Sequence, residues 1–133
     1  MTNQLGQETE YQYDDPSLIM LDVFDAPEEN QKVTFTCTEF TSLCPKTGQP
    51  DYGSIIIEYG AEKLCIESKS LKLYLFAFRN YQGFAETIVN KICDDIYKKI
   101  EPIRIVVIGD FNIRGGIGIQ AESYRTNSRL DRE

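Results

Sequence analysis

The stretch Gly83-Phe84-Ala85-Glu86-Thr87-Ile88-Val89-Asn90-Lys91-Ile92-Cys93-Asp94-Asp95-Ile96-Tyr97-Lys98-Lys99-Ile100, followed after Glu101-Pro102 by Ile103-Arg104-Ile105-Val106-Val107-Ile108-Gly109-Asp110-Phe111, decides the fold. In its first half Ala85, Ile88, Val89, Ile92, Cys93, Ile96 and Ile100 recur at steps of three and four. That spacing puts them on one face of a helix. Lys98 and Lys99 fall in the last turn, where cations suit the helix dipole, and Pro102 stops the helix. The second half is rich in β-branched residues and reads as a strand from Ile103 to Phe111.

Downstream, Asn112 to Gly116 reads as a Gly-containing turn, and Ile117 to Ser123 as the returning strand. Upstream, Leu71 to Leu75 alternates as a strand would, yet Leu71, Tyr74, Leu75 and Phe78 also lie at helical spacing. The segment has no β-branched residue and is rich in Leu and Lys, which favours helix. Ser54 to Tyr59, with Ile55, Ile56 and Ile57, reads as a strand. Lys32 to Cys37 alternates between Val33, Phe35, Cys37 and Thr34, Thr36, and reads as another. Residues 41–54 contain Pro45, Gly48, Pro50 and Gly53 and read as a loop. The order strand, strand, helix, helix, strand, strand implies an α+β domain, an antiparallel sheet with both helices on one face. Such a sheet has two open edges, and pairing them between subunits would build a ring.

The 133 residues fit one domain, and 41% apolar content suffices for a core. No run approaches the ~20 apolar residues of a membrane span. The N-terminus lacks the basic and apolar regions of a secretory signal, so the expectation is a soluble, cytoplasmic protein. Eight of the 21 acids lie in residues 1–30, which hold no Lys or Arg; the remaining 13 face 14 bases. Residues 1–30 therefore read as an acidic, solvated and partly disordered leader, 31–124 as the folded domain and 125–133 as a polar, fraying tail. The acidic leader disfavours nucleic acid and acidic membranes as partners. Histidine is absent, which removes Ser-His-Asp and Cys-His machinery and His-ligated zinc. Proton transfer must then use carboxylates, Tyr, Lys, Cys or water.

Of the four cysteines, Cys37 and Cys93 fall on apolar faces and Cys65 near a strand end, whereas Cys44 lies in the Pro/Gly loop. A loop thiol beside Lys46 can have its pKa lowered and become nucleophilic. Asp51, seven residues on, is close enough in sequence for a folded-back loop to bring a carboxyl to it. Alone, such a pair is more often ordinary loop. Glu86 sits in the first turn of the long helix, where an acid suits the dipole and where a carboxylate can also take the N–H pair of a purine. Lys69 and Lys72, three apart, share a helix face that either is simply solvated or receives phosphate. Arg114, at the turn before Gly115-Gly116, offers a site for an anion; the turn is neither a Walker nor a Rossmann loop.

Glu39-Phe40-Thr41-Ser42-Leu43-Cys44-Pro45-Lys46-Thr47-Gly48-Gln49-Pro50-Asp51, then Glu67-Ser68-Lys69-Ser70-Leu71-Lys72-Leu73-Tyr74, then Gly109-Asp110-Phe111 through Arg114-Gly115-Gly116, together resemble the NADPH-dependent 7-cyano-7-deazaguanine reductases. These are the nitrile reductases of queuosine biosynthesis, and the likeness is to their short single-domain form over roughly residues 33–122. The resemblance implies a tunnelling fold whose subunits form pentameric rings stacked as a decamer, with sites at subunit interfaces. It implies that Cys44 forms a covalent thioimide with the nitrile and Asp51 supplies the proton. It implies that Ile66, Glu67, Ser68 and the Ala85-Glu86 pair contact substrate, with Glu86 recognising the purine. Lys69, Lys72, Arg114 and Gly115 are implied to hold NADPH, two of which would be consumed per nitrile, with no metal. Many members carry His-Glu where this chain has Ala85-Glu86.

Two other functions fit the same residues less well. An amidinotransferase would use the same thioimide to add ammonia to the base in tRNA, and would call for a basic tRNA-binding surface. A non-catalytic ring would bind a purine through Glu86 and leave Cys44 unreactive.

Overall fold

The computed structural model describes residues 11–27 and 31–127. Its main sheet has four antiparallel strands in the order β2-β3-β5-β6. These are β2 (Lys32–Leu43), β3 (Pro50–Gly60), β5 (Arg104–Arg114) and β6 (Ile117–Thr126). A second sheet pairs β1 (Val23–Asp25) with β4 (Leu64–Ile66). The helices are α1 (Ser68–Phe76) and α2 (Ala85–Ile100).

Alternation along the strands explains why one sheet face is core. Ile55, Ile57 and Tyr59 of β3 and Ile105 and Val107 of β5 are buried, and register sets Ile57 beside Val107 and Tyr59 beside Ile105. α2 lays Ile88, Val89, Ile92, Cys93 and Ile96 on that face, all fully buried. α1 adds Leu71, Tyr74 and Leu75. Gly109 lets α2 come close, because a Cβ there would stand 2.6 Å from Val89 Cγ2. Glu101 ends α2 with φ at 45°, and Pro102 follows.

The α+β architecture and the order of the six main elements match the sequence reading. Several boundaries do not. Residues 41–54 are mostly strand: β2 runs on to Leu43 and β3 begins at Pro50, leaving a hairpin tip of residues 44–49. Pro50 is tolerated as the first residue of a strand. Gly53 is needed because a Cβ there would lie 2.4 Å from the Asp110 carbonyl oxygen. The turn after β5 is only Gly115-Gly116, with φ of 59° and 81°, as a two-residue hairpin loop requires. The polar tail starts later than 125, since Arg125 and Thr126 belong to β6 and Asn127 is buried; residues 128–133 lie outside the described residues. Within the acidic leader, residues 11–27 are docked rather than solvated throughout. Leu21 and Asp22 are buried and β1 pairs with β4. Its residues 1–10 and 28–30 lie outside the described residues.

Candidate active site

Cys44 is the first residue past β2, and the tip that carries it is closed by its own backbone. Cys44 N–H donates to the Gln49 carbonyl at 2.9 Å, and Gly48 N–H donates to the Cys44 carbonyl at 2.8 Å. Gly48 takes a φ of 73°, which lets the chain fold back. Cys44 is a partly buried residue whose thiol pKa lies below the ordinary value. The Thr47 hydroxyl is the largest cause, followed by the backbone N–H groups of Thr47 and Lys46; the Asp51 charge opposes them. Local donors to sulfur lower the pKa here, where the sequence suggested the Lys46 ammonium. Cys37 and Cys93 move the other way, pushed up chiefly by burial.

Asp51 sits on β3 opposite Ser42, two residues before Cys44 on the partner strand. Its carboxylate accepts from Arg114 Nη1, which also donates to the Pro50 carbonyl at 3.1 Å, while Arg114 Nη2 donates to Gln49 Oε1. Arg114 thus folds onto the Cys44–Asp51 hairpin instead of projecting from its own turn. The segment before α2 docks at the same place. Leu43 N–H donates to the Tyr81 carbonyl and Gly83 N–H to the Leu43 carbonyl, at 3.0 and 3.1 Å. The first turn of α2, with half-buried Ala85 and exposed Glu86, therefore lies at this end of the molecule. Two residues that sequence reading passed over also lie here. The buried hydroxyls of Thr41 and Ser42 have no hydrogen-bond partner among the described residues.

The Glu67 to Tyr74 block stands elsewhere. Ile66 is buried, and its N–H donates to the Tyr59 hydroxyl at 2.9 Å. Glu67 caps α1: its carboxylate accepts from Lys69 N–H and Ser70 N–H, each at 2.8 Å. Ser70 Oγ donates to the Glu67 carbonyl and accepts from Asp22 N–H, both at 2.9 Å, so the leader is tied to the start of α1. Ser68, Lys69 and Lys72 line a cleft on the helix surface. Tyr59 is eight residues from Asp51 along β3. At the rise of an extended strand, Ile66, bonded to Tyr59, is on the order of 20 Å from Asp51, whereas Ser68 and Lys72 line a cavity of about 400 Å³ together with Glu39, Phe40 and Thr41. One protomer thus places Cys44, Asp51, Ala85, Glu86, Arg114 and Gly115 at one end of the sheet and Ile66, Glu67 and Lys69 toward the other, with Ser68 and Lys72 lining a cavity that also reaches Thr41.

Residues 50–129 match the family model described as QueF-like protein. The chain is 56% identical over 102 residues to the NADPH-dependent 7-cyano-7-deazaguanine reductase of Bdellovibrio bacteriovorus, a match covering 75% of this chain and 60% of that protein. It is 47% identical over 123 residues to the reductase of the same name from Nitratidesulfovibrio vulgaris, covering 91% and 74%. With that of Bacillus mycoides it is 50% identical over 116 residues, covering 86% and 70%. The chain thus spans less than two thirds of the Bdellovibrio relative's length. Among solved structures, the apo archaeosine synthase QueF-Like superposes with a TM-score of 0.68 at 14% identity, covering 73% of this chain and 95% of that one. At that identity the likeness speaks for the fold alone. The chain belongs to the QueF-like family.

Proposed function

We propose that this chain reduces the nitrile of 7-cyano-7-deazaguanine to the aminomethyl group at the expense of NADPH, through a thioimide on Cys44, in the biosynthesis of queuosine. The observation that carries this reading is the placement of a thiol of lowered pKa in one hairpin with a carboxylate. The names of the relatives supply the substrate and the reductant.

In this reaction the Cys44 sulfur adds to the nitrile carbon, and the nitrile nitrogen takes a proton from Asp51, for which the thiol's own proton is the nearest source. The product is a thioimide. NADPH supplies the two hydrides: the first leads to an imine with release of the Cys44 thiolate, the second to the amine, and a proton accompanies each. Glu86 accepts from the N–H groups of the purine edge. Lys69 and Lys72, sharing one cleft, suit the phosphates of the dinucleotide. In this reading Arg114 and Gly115 join them on one dinucleotide where two protomers meet, Arg114 giving up its contacts with Asp51 and Gln49. The same holds for Ile66, Glu67 and Ser68 with Cys44. The reading therefore includes a ring-forming homo-oligomer whose sites lie between subunits.

The test is direct. Incubation with 7-cyano-7-deazaguanine should add the mass of the ligand to the intact protein, and Cys44→Ala should abolish the adduct. Nitrile-dependent oxidation of NADPH should follow; an adduct without it would point to a transferase. Glu86→Ala should weaken nitrile binding about tenfold or more, as expected for loss of a charged acceptor. Unchanged binding would remove Glu86 from the site.

A further inference from the structure

The docked part of the leader reaches α1 beside the two lysines. The Tyr13 carbonyl accepts from Asn80 N–H. The rings of Tyr11 and Tyr13 pack on Phe76 with centroids 4.7 and 5.2 Å away, and Arg79 covers the same ring at 4.6 Å. Tyr11 is thereby held in place, yet it is 48% exposed. It forms one wall of a cleft of about 370 Å³ whose other walls are Ser68, Lys69, Lys72 and Leu73. The cleft joins an aromatic ring, two ammonium groups on one helix face and a hydroxyl. The motif's own carboxylate, Glu67, is engaged by backbone N–H groups of α1.

A ring beside two cations fits a ligand in which an aromatic base is joined to phosphate. We infer that Tyr11 is a binding residue for the adenosine 2′-phosphate end of the dinucleotide, its ring stacking on adenine while Lys69 and Lys72 take the phosphate. The inference rests on the NADPH-dependent reduction proposed above. It is the adenosine end because that end carries the extra phosphate monoester, the group two ammoniums best match. The nicotinamide must instead reach the carbon held on a Cys44. A leader residue would in this way share the cofactor with the α1 lysines, although it lies far from them in sequence.

Calorimetric titration with adenosine 2′,5′-bisphosphate and with adenosine 5′-monophosphate tests this on the full chain. The wild type should bind the bisphosphate about tenfold or more tighter than the monophosphate. Tyr11→Phe should keep that affinity, whereas Tyr11→Leu and Tyr11→Ala should lose about tenfold, as for one stacked base. The same two variants should raise KM for NADPH by a similar factor, with a smaller change in kcat. Tyr11→Leu preserves bulk against Phe76, so a loss there reports the ring and not the packing of the leader. Binding by Tyr11→Leu equal to wild type, or no preference of the wild type for the bisphosphate, would overturn the assignment. The probe requires neither nitrile nor Cys44. A missing Cys44 adduct therefore overturns the reductase reading, while wild-type binding of the bisphosphate by Tyr11→Leu overturns the role of Tyr11.

Discussion

Cys44 differs from Cys37 and Cys93 in what dominates at its sulfur. Burial raises the pKa of Cys37 and Cys93, whereas the Thr47 hydroxyl and two backbone N–H groups lower that of Cys44. A lowered pKa means that thiolate is present at lower pH, so the sign of the effect is an earlier rise in reactivity. Alkylation of Cys44 by iodoacetamide should increase with pH, with a midpoint below the ordinary thiol value of 9.0. Thr47→Val removes the largest cause, and the midpoint of that profile should move upward. A profile unchanged by Thr47→Val, measured by mass mapping of the Cys44 peptide, would show that the hydroxyl does not act on the sulfur. Arg114 makes the complementary point: sequence offered it to an outside anion, and the fold turns it onto Asp51 and Gln49.

Between elements, one polar contact links the two helices within the apolar layer. The Tyr74 hydroxyl donates to Asp95 Oδ2 at 2.6 Å, although Tyr74 is otherwise buried. Its pKa is driven up, by burial first and the Asp95 bond second, so it stays a neutral donor. Asp95 also meets Lys91 at 3.3 Å, one turn back on α2. Tyr74→Phe keeps the ring against Phe78 and deletes only the bond to a charged acceptor. The expected loss is about 1–3 kcal/mol, read as a lower urea midpoint at constant slope. The Glu67-Ser68-Lys69-Ser70 run is likewise partly structural. Glu67 and Ser70 cap α1 and tie down the leader, which leaves Ser68, Lys69 and Lys72 to face the cleft.

For the whole molecule, the separation of the two residue clusters has a consequence that a site within one protomer would not. Cys44→Ala removes one cluster's chemistry, and a Lys69→Ala, Lys72→Ala double variant removes the other's cations. If each site is built from two protomers, mixing the two inactive proteins after mild dissociation should restore about a quarter of wild-type activity, the share of interfaces that pair two intact halves at random. No recovery, with subunit exchange verified by native mass spectrometry, would place both clusters' work inside a single chain. The surface near Cys44 carries exposed apolar side chains: Tyr52, Phe84, Ile113 and Ile117 are each more than half exposed. Among the described residues no helix is long and apolar enough to cross a membrane.

Period alone determined α2 and the cores of the four long strands, because burial of one face imprints a spacing of three to four on a helix and two on a strand; for α1 the period fitted both, and the absence of β-branched residues favoured helix. The Pro/Gly loop also singled out Cys44 among the cysteines. The β1–β4 pair escaped because three residues are too short to show a period. Strand at Pro50 to Gly53 escaped because Pro was present to open a strand and Gly for close approach, not for a turn. Which groups meet was decided by tertiary structure: Thr47 on the Cys44 sulfur, Arg114 on Asp51, Asp22 on Ser70, Tyr11 beside Lys69 and Lys72. Such meetings depend on strand register and on where a loop closes, and local sequence patterns carry neither.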